Sequence, residues 1–309
     1  MISTPAGWMV DDAFAARLRL AGSLQAGLDA LDRRIDKVIR AWQLEPGKQL
    51  FGGTESIVLR TRRSDGLEAV LKVGAGDAIP YGEVRSLQLA RGRGYAQLLA
   101  YSPADQAVLV EALGSKLVDL DLGAAAELAI ICDNWLSAQR IISSRETMQT
   151  TDDKAAWLAG YINEVAAGVS HGWADPLLRR AVTYLAERTG YAGPQFLVHG
   201  DCHAWNTLRT LDGTGYKFVD PDGYLGDPAY DLGVLMREWT ADLLPDPVRR
   251  GRARCDYLAG LSGLDPVAIW QWGYIECVST GMTYLQLGMP DEAAVYQTIA
   301  EAWVEVESP

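Results

Sequence analysis

Residues 199–206 carry the side-chain types that phosphoryl transfer needs. The run reads His-Gly-Asp-Cys-His-Ala-Trp-Asn and fits the spacing H-x-D-x-x-x-x-N of a kinase catalytic loop. In such a loop, Asp201 would orient an attacking hydroxyl and accept its proton, while Asn206 would offer an amide oxygen to Mg²⁺, which prefers oxygen ligands. His199 is expected to hold the backbone of the loop rather than to carry protons. The run therefore predicts transfer of a phosphoryl group to an alcohol.

A second carboxylate, Asp220, follows the loop at the end of the apolar run Tyr-Lys-Phe-Val. The intervening residues 212–215, Asp-Gly-Thr-Gly, predict a hairpin turn that returns the chain to the loop. Asp220 is therefore the expected second ligand of Mg²⁺. Residues 220–222 read Asp-Pro-Asp rather than the Asp-Phe-Gly of protein kinases, which argues against a protein substrate.

The first third of the chain contains residues suited to binding a nucleotide. Lys72 lies in the strand-like run 69–73, which is similar to the Val-Ala-Ile-Lys strand of kinases, and Glu83 begins a helix eleven residues later. Two glycines in the turn 51–56 leave backbone N–H groups open to phosphate, and the segment 111–114 is the expected hinge that binds adenine through its backbone. The expected nucleotide-binding residues are Lys72, Glu83, Gly52, Gly53, Thr54, Glu111 and Leu113.

Other interpretations exist for the same residues. A lysine at the end of a strand is commonly a solvated edge residue. His199, Asp201 and His203 could instead form the metal site of a hydrolase. A pseudokinase that binds nucleotide without turnover is a third interpretation, but all the expected phosphate and metal residues are present. Their order along the chain favours phosphoryl transfer.

The elements that must position these residues follow from hydrophobic periodicity. They predict an α+β protein with a bilobal protein-kinase-like fold, in which residues 1–112 form a small β-rich nucleotide-binding lobe with leading helices. Residues 113–309 would form a larger, mainly helical lobe with the catalytic loop and the substrate site. The expected helices cover 9–46, 82–92, 122–146, 151–170, 175–189 and the chain from 232 onward, and the expected strands 48–60, 67–73, 97–101, 107–112 and short runs within 195–220.

Composition limits the class of protein and its partners. A net charge of −12 over 309 residues disfavours nucleic acid as a partner. The same charge would attract a cationic small molecule to the protein. The alternative is that the negative charge only aids solubility. The absence of an 18-residue apolar run argues against a membrane span. Four scattered cysteines and an N-terminus without a secretory signal indicate a cytoplasmic protein. A monomer or a dimer is expected. The ten tryptophans are expected mostly in the core, with one or two lining a substrate pocket.

Two motifs of the second lobe resemble those of the aminoglycoside phosphotransferase superfamily. The runs HGDCHAWN (199–206) and VDPDGYLGDPAYDL (219–232) are similar to the H-G-D-L-H-x-x-N and I-D-P-x-G-x-x-G-D-P-x-x-(D/E)-L segments of its streptomycin 6-phosphotransferase and hydroxyurea phosphotransferase family. The resemblance covers roughly residues 45–290. It departs from the family pattern at Cys202, usually Leu, and at Trp205, usually small.

The resemblance implies roles for individual residues. It implies Asp201 as the base, Asn206 and Asp220 as Mg²⁺ ligands, and Lys72 on the phosphates of ATP. Further residues are expected to support the loop or to contact the substrate. The support residues are His199 and Asp227, whose carboxylate should accept hydrogen bonds from the loop backbone, and the substrate candidates are Trp205, Asp222 and Asp231.

The implied activity is ATP-dependent O-phosphorylation of a cationic small molecule, with a streptomycin-like aminoglycoside as the expected acceptor. Two alternatives share the same site. One is a metabolic kinase of an endogenous sugar, amine or amino alcohol. The other is a kinase of another antibiotic, such as a tuberactinomycin peptide or hydroxyurea.

Overall fold

The computed structural model describes residues 1–20, 22–51, 56–75, 81–143, 147–168 and 172–306. The chain divides into two compact units. The first contains residues 1–114 and 209–217, and the second contains residues 115–208 and 218–309. The segment 209–217, which the sequence placed in the second lobe, thus groups with the first unit.

The first unit combines two leading helices with an antiparallel sheet. Strands β3 to β7 pair in the order β3-β4-β5-β7-β6, so β5 lies at the centre of the sheet. The core joins one face of α2, through Leu31 and Ile35, to the sheet residues Ile57, Leu59 and Leu71, all at most 1% exposed. The elements are β1 (Ile2–Ser3), β2 (Met9–Val10), α1 (Asp12–Leu20), α2 (Leu24–Ala41), β3 (Glu45–Leu50), β4 (Ser56–Arg62), β5 (Glu68–Gly74), α3 (Tyr81–Ala90), β6 (Leu98–Ser102) and β7 (Ala107–Glu111).

The second unit is mainly helical and holds two short antiparallel pairs of strands. Its strand β8 pairs with β11, and β9 pairs with β10 in a hairpin whose tip belongs to the first unit. The elements are α4 (Ala124–Ala138), α5 (Thr151–Gly168), α6 (Asp175–Arg188), β8 (Phe196–Val198), β9 (Thr207–Arg209), β10 (Tyr216–Phe218), β11 (Tyr224–Gly226), α7 (Ala229–Arg237), α8 (Thr240–Leu243), α9 (Pro247–Ser262), α10 (Pro266–Gln286) and α11 (Pro290–Val304).

Helix α10 is the central helix of the second unit. It packs against α5, α6, α7, α9 and α11, and residues 268–279 are buried on every side. Glycines permit its close contact with α7, since a Cβ on Gly233 would lie 2.4 Å from the Cβ of Trp272, and one on Gly273 would lie 2.5 Å from the Cβ of Met236. Backbones that approach this closely fix the two helices in one register.

The hairpin expected at residues 212–215 is present between β9 and β10. Gly213 has φ 74°, in the left-handed region that glycine tolerates. The carboxylate of Asp212 accepts hydrogen bonds from the hydroxyl of Thr210 and from the backbone and hydroxyl of Thr214. This is the local turn chemistry that the Asp-Gly-Thr-Gly sequence predicts.

The strands expected over 48–60, on either side of the turn expected at 51–56, are β3 and β4, which pair antiparallel. Two other expectations from the sequence were wrong in detail. The helix expected over 122–146 ends at Ala138, since residues 140–142 pair with the backbone beside β8 instead. Trp157, expected in the core with the other tryptophans, is 57% exposed.

The β-rich first unit and the helical second unit confirm the α+β class. No helix within the described residues is both long enough and apolar enough to span a bilayer.

Candidate active site

The loop 199–206 is held in place by a buried carboxylate on α7. Asp231 accepts hydrogen bonds from the backbone N–H groups of His199 (3.0 Å) and Gly200 (2.8 Å), and from the indole N–H of Trp135 on α4 (3.2 Å). Burial raises the pKa of Asp231, while these donors favour its anion. Asp231 is 1% exposed, so the expectation that it contacts substrate is wrong: it supports the loop.

Asp227 does not have the role expected of it. Its carboxylate accepts a hydrogen bond from the N–H of Ala229 at the start of α7 (3.0 Å) and one from the indole N–H of Trp272 on α10 (3.0 Å). Because Asp227 precedes α7, its side chain satisfies an otherwise unpaired N–H of the first helical turn. Asp231 lies one turn further on and contacts the catalytic loop in its place.

His199 lies fully buried beneath the loop. Its Nδ1 accepts a hydrogen bond from the backbone N–H of Asp201 (3.1 Å), and its Nε2 lies 3.0 Å from the carbonyl of Val219. A ring that accepts at Nδ1 and donates at Nε2 is a neutral imidazole with the proton on Nε2. His199 thus links the loop to the residue that precedes Asp220.

The geometry of His199 contradicts the hydrolase interpretation. A histidine with both ring nitrogens bound to backbone groups cannot also ligate a metal through one of them. Within the part of the chain that the structure describes, no group of three or more His, Cys, Asp or Glu side chains is arranged to hold a metal ion.

The carboxylate of Asp201 has donors on both oxygens. Oδ2 lies 3.0 Å from Nε2 of His203 and accepts a hydrogen bond from Nδ2 of Asn206 (3.1 Å), while Oδ1 lies 3.1 Å from a guanidinium nitrogen of Arg237. Burial opposes the charge, but His203 and Arg237 outweigh it and hold the pKa of Asp201 well below its usual range. Burial likewise opposes the charge of His203, and Asp201 raises the pKa of that imidazole. Asp201 is therefore an oriented anion. His203 donates to it through Nε2, because its Nδ1 accepts a hydrogen bond from the backbone N–H of Trp205 (3.2 Å).

Asn206 and Asp220 are positioned by the hairpin. Asn206 donates its amide nitrogen to the carbonyl and the carboxylate of Asp201. The N–H of Val219 donates to the carbonyl of Asn206 (2.9 Å), which brings the two strands of the hairpin together beside the loop. Asp220 has φ 57°, uncommon for a residue other than glycine, and its side chain is exposed.

The first unit contains the expected pair of Lys72 and Glu83. Lys72 lies on the central strand β5, opposite Val58 and Val108, and its Nζ is 2.9 Å from Oε2 of Glu83 on α3. Glu83 is 4% exposed. Because Lys72 lies on an interior strand and pairs with a buried carboxylate, it is not a solvated edge lysine.

The expected hinge residues have partners within the first unit. The Glu111 carboxylate accepts hydrogen bonds from Nζ of Lys217 (2.5 Å) and from the N–H of Gln97 (2.7 Å), so its side chain is structural. The carbonyl of Leu113 accepts a hydrogen bond from Arg60 (3.1 Å). The expected phosphate-binding residues Gly52, Gly53 and Thr54 lie outside the described residues.

Two expected substrate residues are exposed in the second unit. The ring of Trp205 is 55% exposed, with Nζ of Lys116 5.0 Å from its centroid. Asp222 packs against Gly200, where an added Cβ would lie 2.8 Å from the Asp222 Cβ. Its carboxylate lies 3.4 Å from Nζ of Lys154.

Motifs and spacing in the sequence did not identify several charged residues that surround the loop. Arg237 on α7 contacts Asp201, Glu276 on α10 lies 3.4 Å from Arg237, and Lys154 on α5 contacts Asp222. These residues lie in three helices, and no regular spacing along the chain connects them to the loop. Glu276 carried one signal, because it is the one charged residue of α10, and buried charges are almost always paired.

Cys202 occupies a small packing position below the loop. It is fully buried, and burial raises the pKa of its thiol well above the usual range. Its Sγ donates to the carbonyl of Asp231. A thiol of this kind is inert.

Comparison with solved structures shows the fold. Aminoglycoside phosphotransferase APH(4)-Ia, as a thermostable mutant in its apo form, matches with a TM-score of 0.58 at 17% identity, covering 87% of this chain and 97% of that one. A choline kinase from Cryptosporidium parvum matches with a TM-score of 0.56 at 11% identity, covering 89% and 94%. The expected kinase-like fold is thereby confirmed.

Sequence comparison gives the family. The chain is 28% identical over 290 residues to a streptomycin 6-kinase of Streptomyces glaucescens, covering 90% of this chain and 91% of the relative. It is 28% identical over 255 residues to a hydroxyurea phosphotransferase of Kitasatospora aureofaciens, covering 79% and 70%. Residues 41–288 match the family described as aminoglycoside/hydroxyurea antibiotic resistance kinase. The chain belongs to this family of antibiotic resistance kinases, as its catalytic-loop motifs indicated.

Proposed function

We propose that this protein inactivates a streptomycin-like aminoglycoside by transferring the γ-phosphoryl group of ATP to one of its hydroxyls. The observation that carries the proposal is the oriented Asp201 carboxylate in a loop supported by Asp231 and His199. Similarity to a streptomycin 6-kinase over 90% of the chain supports the choice of acceptor. The activity is expected in the cytoplasm, where ATP is available.

In this proposal Asp201 binds the acceptor hydroxyl. The carboxylate accepts a hydrogen bond from the hydroxyl, directs its oxygen at the γ-phosphorus, and takes the proton as the new P–O bond forms and the bond to ADP breaks. Its low pKa makes it a weak base. Because the transition state of phosphoryl transfer is loose, orientation matters more than base strength.

Asn206 and Asp220 would hold Mg²⁺. The amide nitrogen of Asn206 is committed to Asp201, which leaves the amide oxygen for a cation, and Asp220 contributes an exposed carboxylate. An amide oxygen and a carboxylate are the hard ligands that Mg²⁺ accepts alongside nucleotide phosphates. Bound Mg²⁺ would neutralise charge on the β- and γ-phosphate oxygens.

Lys72 would bind the α- and β-phosphates of ATP, with Glu83 fixing its ammonium group. For adenine, the backbone of residues 111–113 remains the expected partner. The carbonyl of Leu113 already accepts a hydrogen bond from Arg60. We therefore expect the N–H of Leu113 to donate a hydrogen bond to the adenine ring.

The acidic groups near the loop favour a cationic acceptor. Asp222 packs beside Gly200 and is exposed, and Glu238, next to Arg237, is partly exposed. With a net charge of −12, the protein would attract a cation over a distance comparable to the Debye length. Streptomycin-like aminoglycosides are polycations, whereas hydroxyurea is neutral.

The test is a panel of acceptors assayed by ADP release with Mg²⁺-ATP. It should include streptomycin, other aminoglycosides, hydroxyurea, a tuberactinomycin peptide, and simple sugars and amino alcohols. We expect streptomycin or a related aminoglycoside to give the highest kcat/KM, and expression to protect a sensitive host from that compound alone. Highest kcat/KM with hydroxyurea or a metabolic sugar would refute the acceptor, and no turnover with any acceptor would refute the kinase.

A further inference from the structure

Arg237 is the one guanidinium that contacts the catalytic carboxylate within the described residues. It lies at the last residue of α7, and its side chain is 15% exposed. One terminal nitrogen is 3.1 Å from Oδ1 of Asp201. The other donates to the hydroxyl of Thr280 and lies 3.4 Å from Oε2 of Glu276.

The two oxygens of Asp201 are held from different parts of the unit. The donors to Oδ2, His203 and Asn206, belong to the same loop as Asp201 and would move with it. The donor to Oδ1, Arg237, belongs to a helix packed in the core. Arg237 is thus the contact that ties the carboxylate itself to the helical scaffold.

A chain of buried contacts holds Arg237 in turn. Glu276 on α10 is 5% exposed, and its second oxygen accepts a hydrogen bond from the hydroxyl of Tyr230 on α7 (2.8 Å). The contact between Gly273 and Met236, one residue before Arg237, brings the two helices together at this level. A guanidinium fixed by both helices is a rigid anchor for the loop.

Burial alone does not account for this arrangement. Glu276 and Glu238 already provide two carboxylates for one guanidinium, at 3.4 and 3.7 Å. The shortest of the three carboxylate contacts is nevertheless the one to Asp201, at 3.1 Å. Arg237 is therefore oriented toward the catalytic loop, and its role goes beyond neutralising the charges of Glu276 and Glu238.

From these contacts we propose that Arg237 is a positioning residue for phosphoryl transfer, which holds the Asp201 carboxylate toward the acceptor hydroxyl and is itself held by Glu276. The inference rests on the proposed function, in which Asp201 binds that hydroxyl. A misplacement of about 1 Å at a reacting group can cost on the order of a hundredfold in rate. Loss of Arg237 should therefore lower kcat and leave the KM for ATP nearly unchanged.

The experiment is a double-mutant cycle between Arg237→Met and Asp201→Asn, with kcat expressed per folded enzyme. Arg237→Met should lower kcat about 30-fold in the wild-type background, but less than about 3-fold when Asp201 is already Asn, because residues that act as a unit are not additive. Arg237→Lys, which keeps the charge and is less disruptive, should recover kcat to within about tenfold of wild type. Glu276→Gln should give a smaller loss than Arg237→Met.

Arg254→Met is the matched control. Arg254 is also a buried arginine of the second unit, but it donates to backbone carbonyls at the C-terminal end of α7 and to Asp242, not to the loop. Its loss should lower thermal stability and leave kcat per folded enzyme within about 3-fold of wild type.

Equal losses from Arg237→Met in both backgrounds, or a normal kcat in Arg237→Met, would overturn the positioning role. If Arg237→Met does not fold, Arg237→Lys and Glu276→Gln decide the question, since a normal kcat in both would also overturn it. Absence of turnover in the wild-type enzyme would instead contradict the proposed function, so the two failures are distinguishable.

Discussion

The two ionic clusters of this protein are built in different ways. In the first unit, Lys72 and Glu83 are eleven residues apart on neighbouring elements and pair with each other. In the second unit, the Asp201 cluster draws on the catalytic loop, α7 and α10, across some 75 residues of chain. A local pair can be recognised from spacing, whereas a cluster assembled from distant helices depends on how those helices pack.

The difference also predicts how each cluster tolerates change. The pair of Lys72 and Glu83 is proposed to bind the phosphates of ATP, so loss of Lys72 should act on that substrate. The Asp201 cluster contains several charged groups that hold the proposed base. Loss of a residue from this cluster should therefore lower the rate of the chemical step. Three substitutions test this contrast.

Replacement of Asp201 by Asn should have the largest effect. Asn keeps the shape of the side chain but cannot accept the proton of the acceptor, so kcat should fall at least about a hundredfold. The KM for ATP should stay nearly unchanged. The measurement is the initial rate of ADP release, with Asp133→Asn, an exposed substitution on α4, as the control. Near-normal turnover in Asp201→Asn would remove Asp201 from the mechanism.

Replacement of Lys72 by Ala should have the next largest effect and should act through ATP. Loss of a charge-assisted contact to phosphate costs roughly 1.5–3 kcal/mol, or about 10- to 100-fold in kcat/KM for ATP. The dependence on acceptor concentration should change little. Steady-state kinetics with varied ATP would measure this, with Lys37→Ala as the control because Lys37 is an exposed lysine on α2 that pairs with Asp105. An unchanged dependence on ATP would show that Lys72 is structural.

Replacement of Asp231 by Asn should have the smallest effect on rate, together with a loss of stability. The amide nitrogen of Asn cannot accept a hydrogen bond, so one backbone N–H of the loop would lose its partner. The loss should lower the free energy of unfolding by about 1–3 kcal/mol. We expect kcat to fall about tenfold as the loop loosens. Asp227→Asn is the comparison, because Asp227 is equally buried but contacts α7 and α10 rather than the loop. Denaturant unfolding and kcat should distinguish the Asp231→Asn and Asp227→Asn variants. A larger loss of kcat in Asp227→Asn would show that Asp227 supports the catalytic loop, as the sequence first indicated.

Much of the fold and part of the candidate site could be predicted from the sequence. Periodicity identified the β-rich first unit and the helical second unit, and the Asp-Gly turn identified the hairpin before Asp220. Local signals were insufficient where tertiary pairing decided the structure. Residues 140–142 left the helical pattern because the backbone beside β8 offered them partners.

The roles of Asp227 and Asp231 show the same limit. Both lie in one motif, four residues apart, and both are acidic, so composition and spacing cannot distinguish them. Their roles are decided by which side of the first turn of α7 each occupies. Asp227 satisfies the start of the helix, and Asp231 faces the buried loop.

The sequence by itself determined the chemistry, because residue types and short spacings specify which atoms are available: the carboxylate of Asp201, the amide of Asn206 and the ammonium of Lys72. Only the tertiary structure decided what holds those atoms. Arg237 and Glu276 reach the Asp201 cluster because glycines let α7 and α10 approach closely. A contact between distant segments leaves no regular spacing in the chain, so the support of the catalytic loop became visible only in the packed helices.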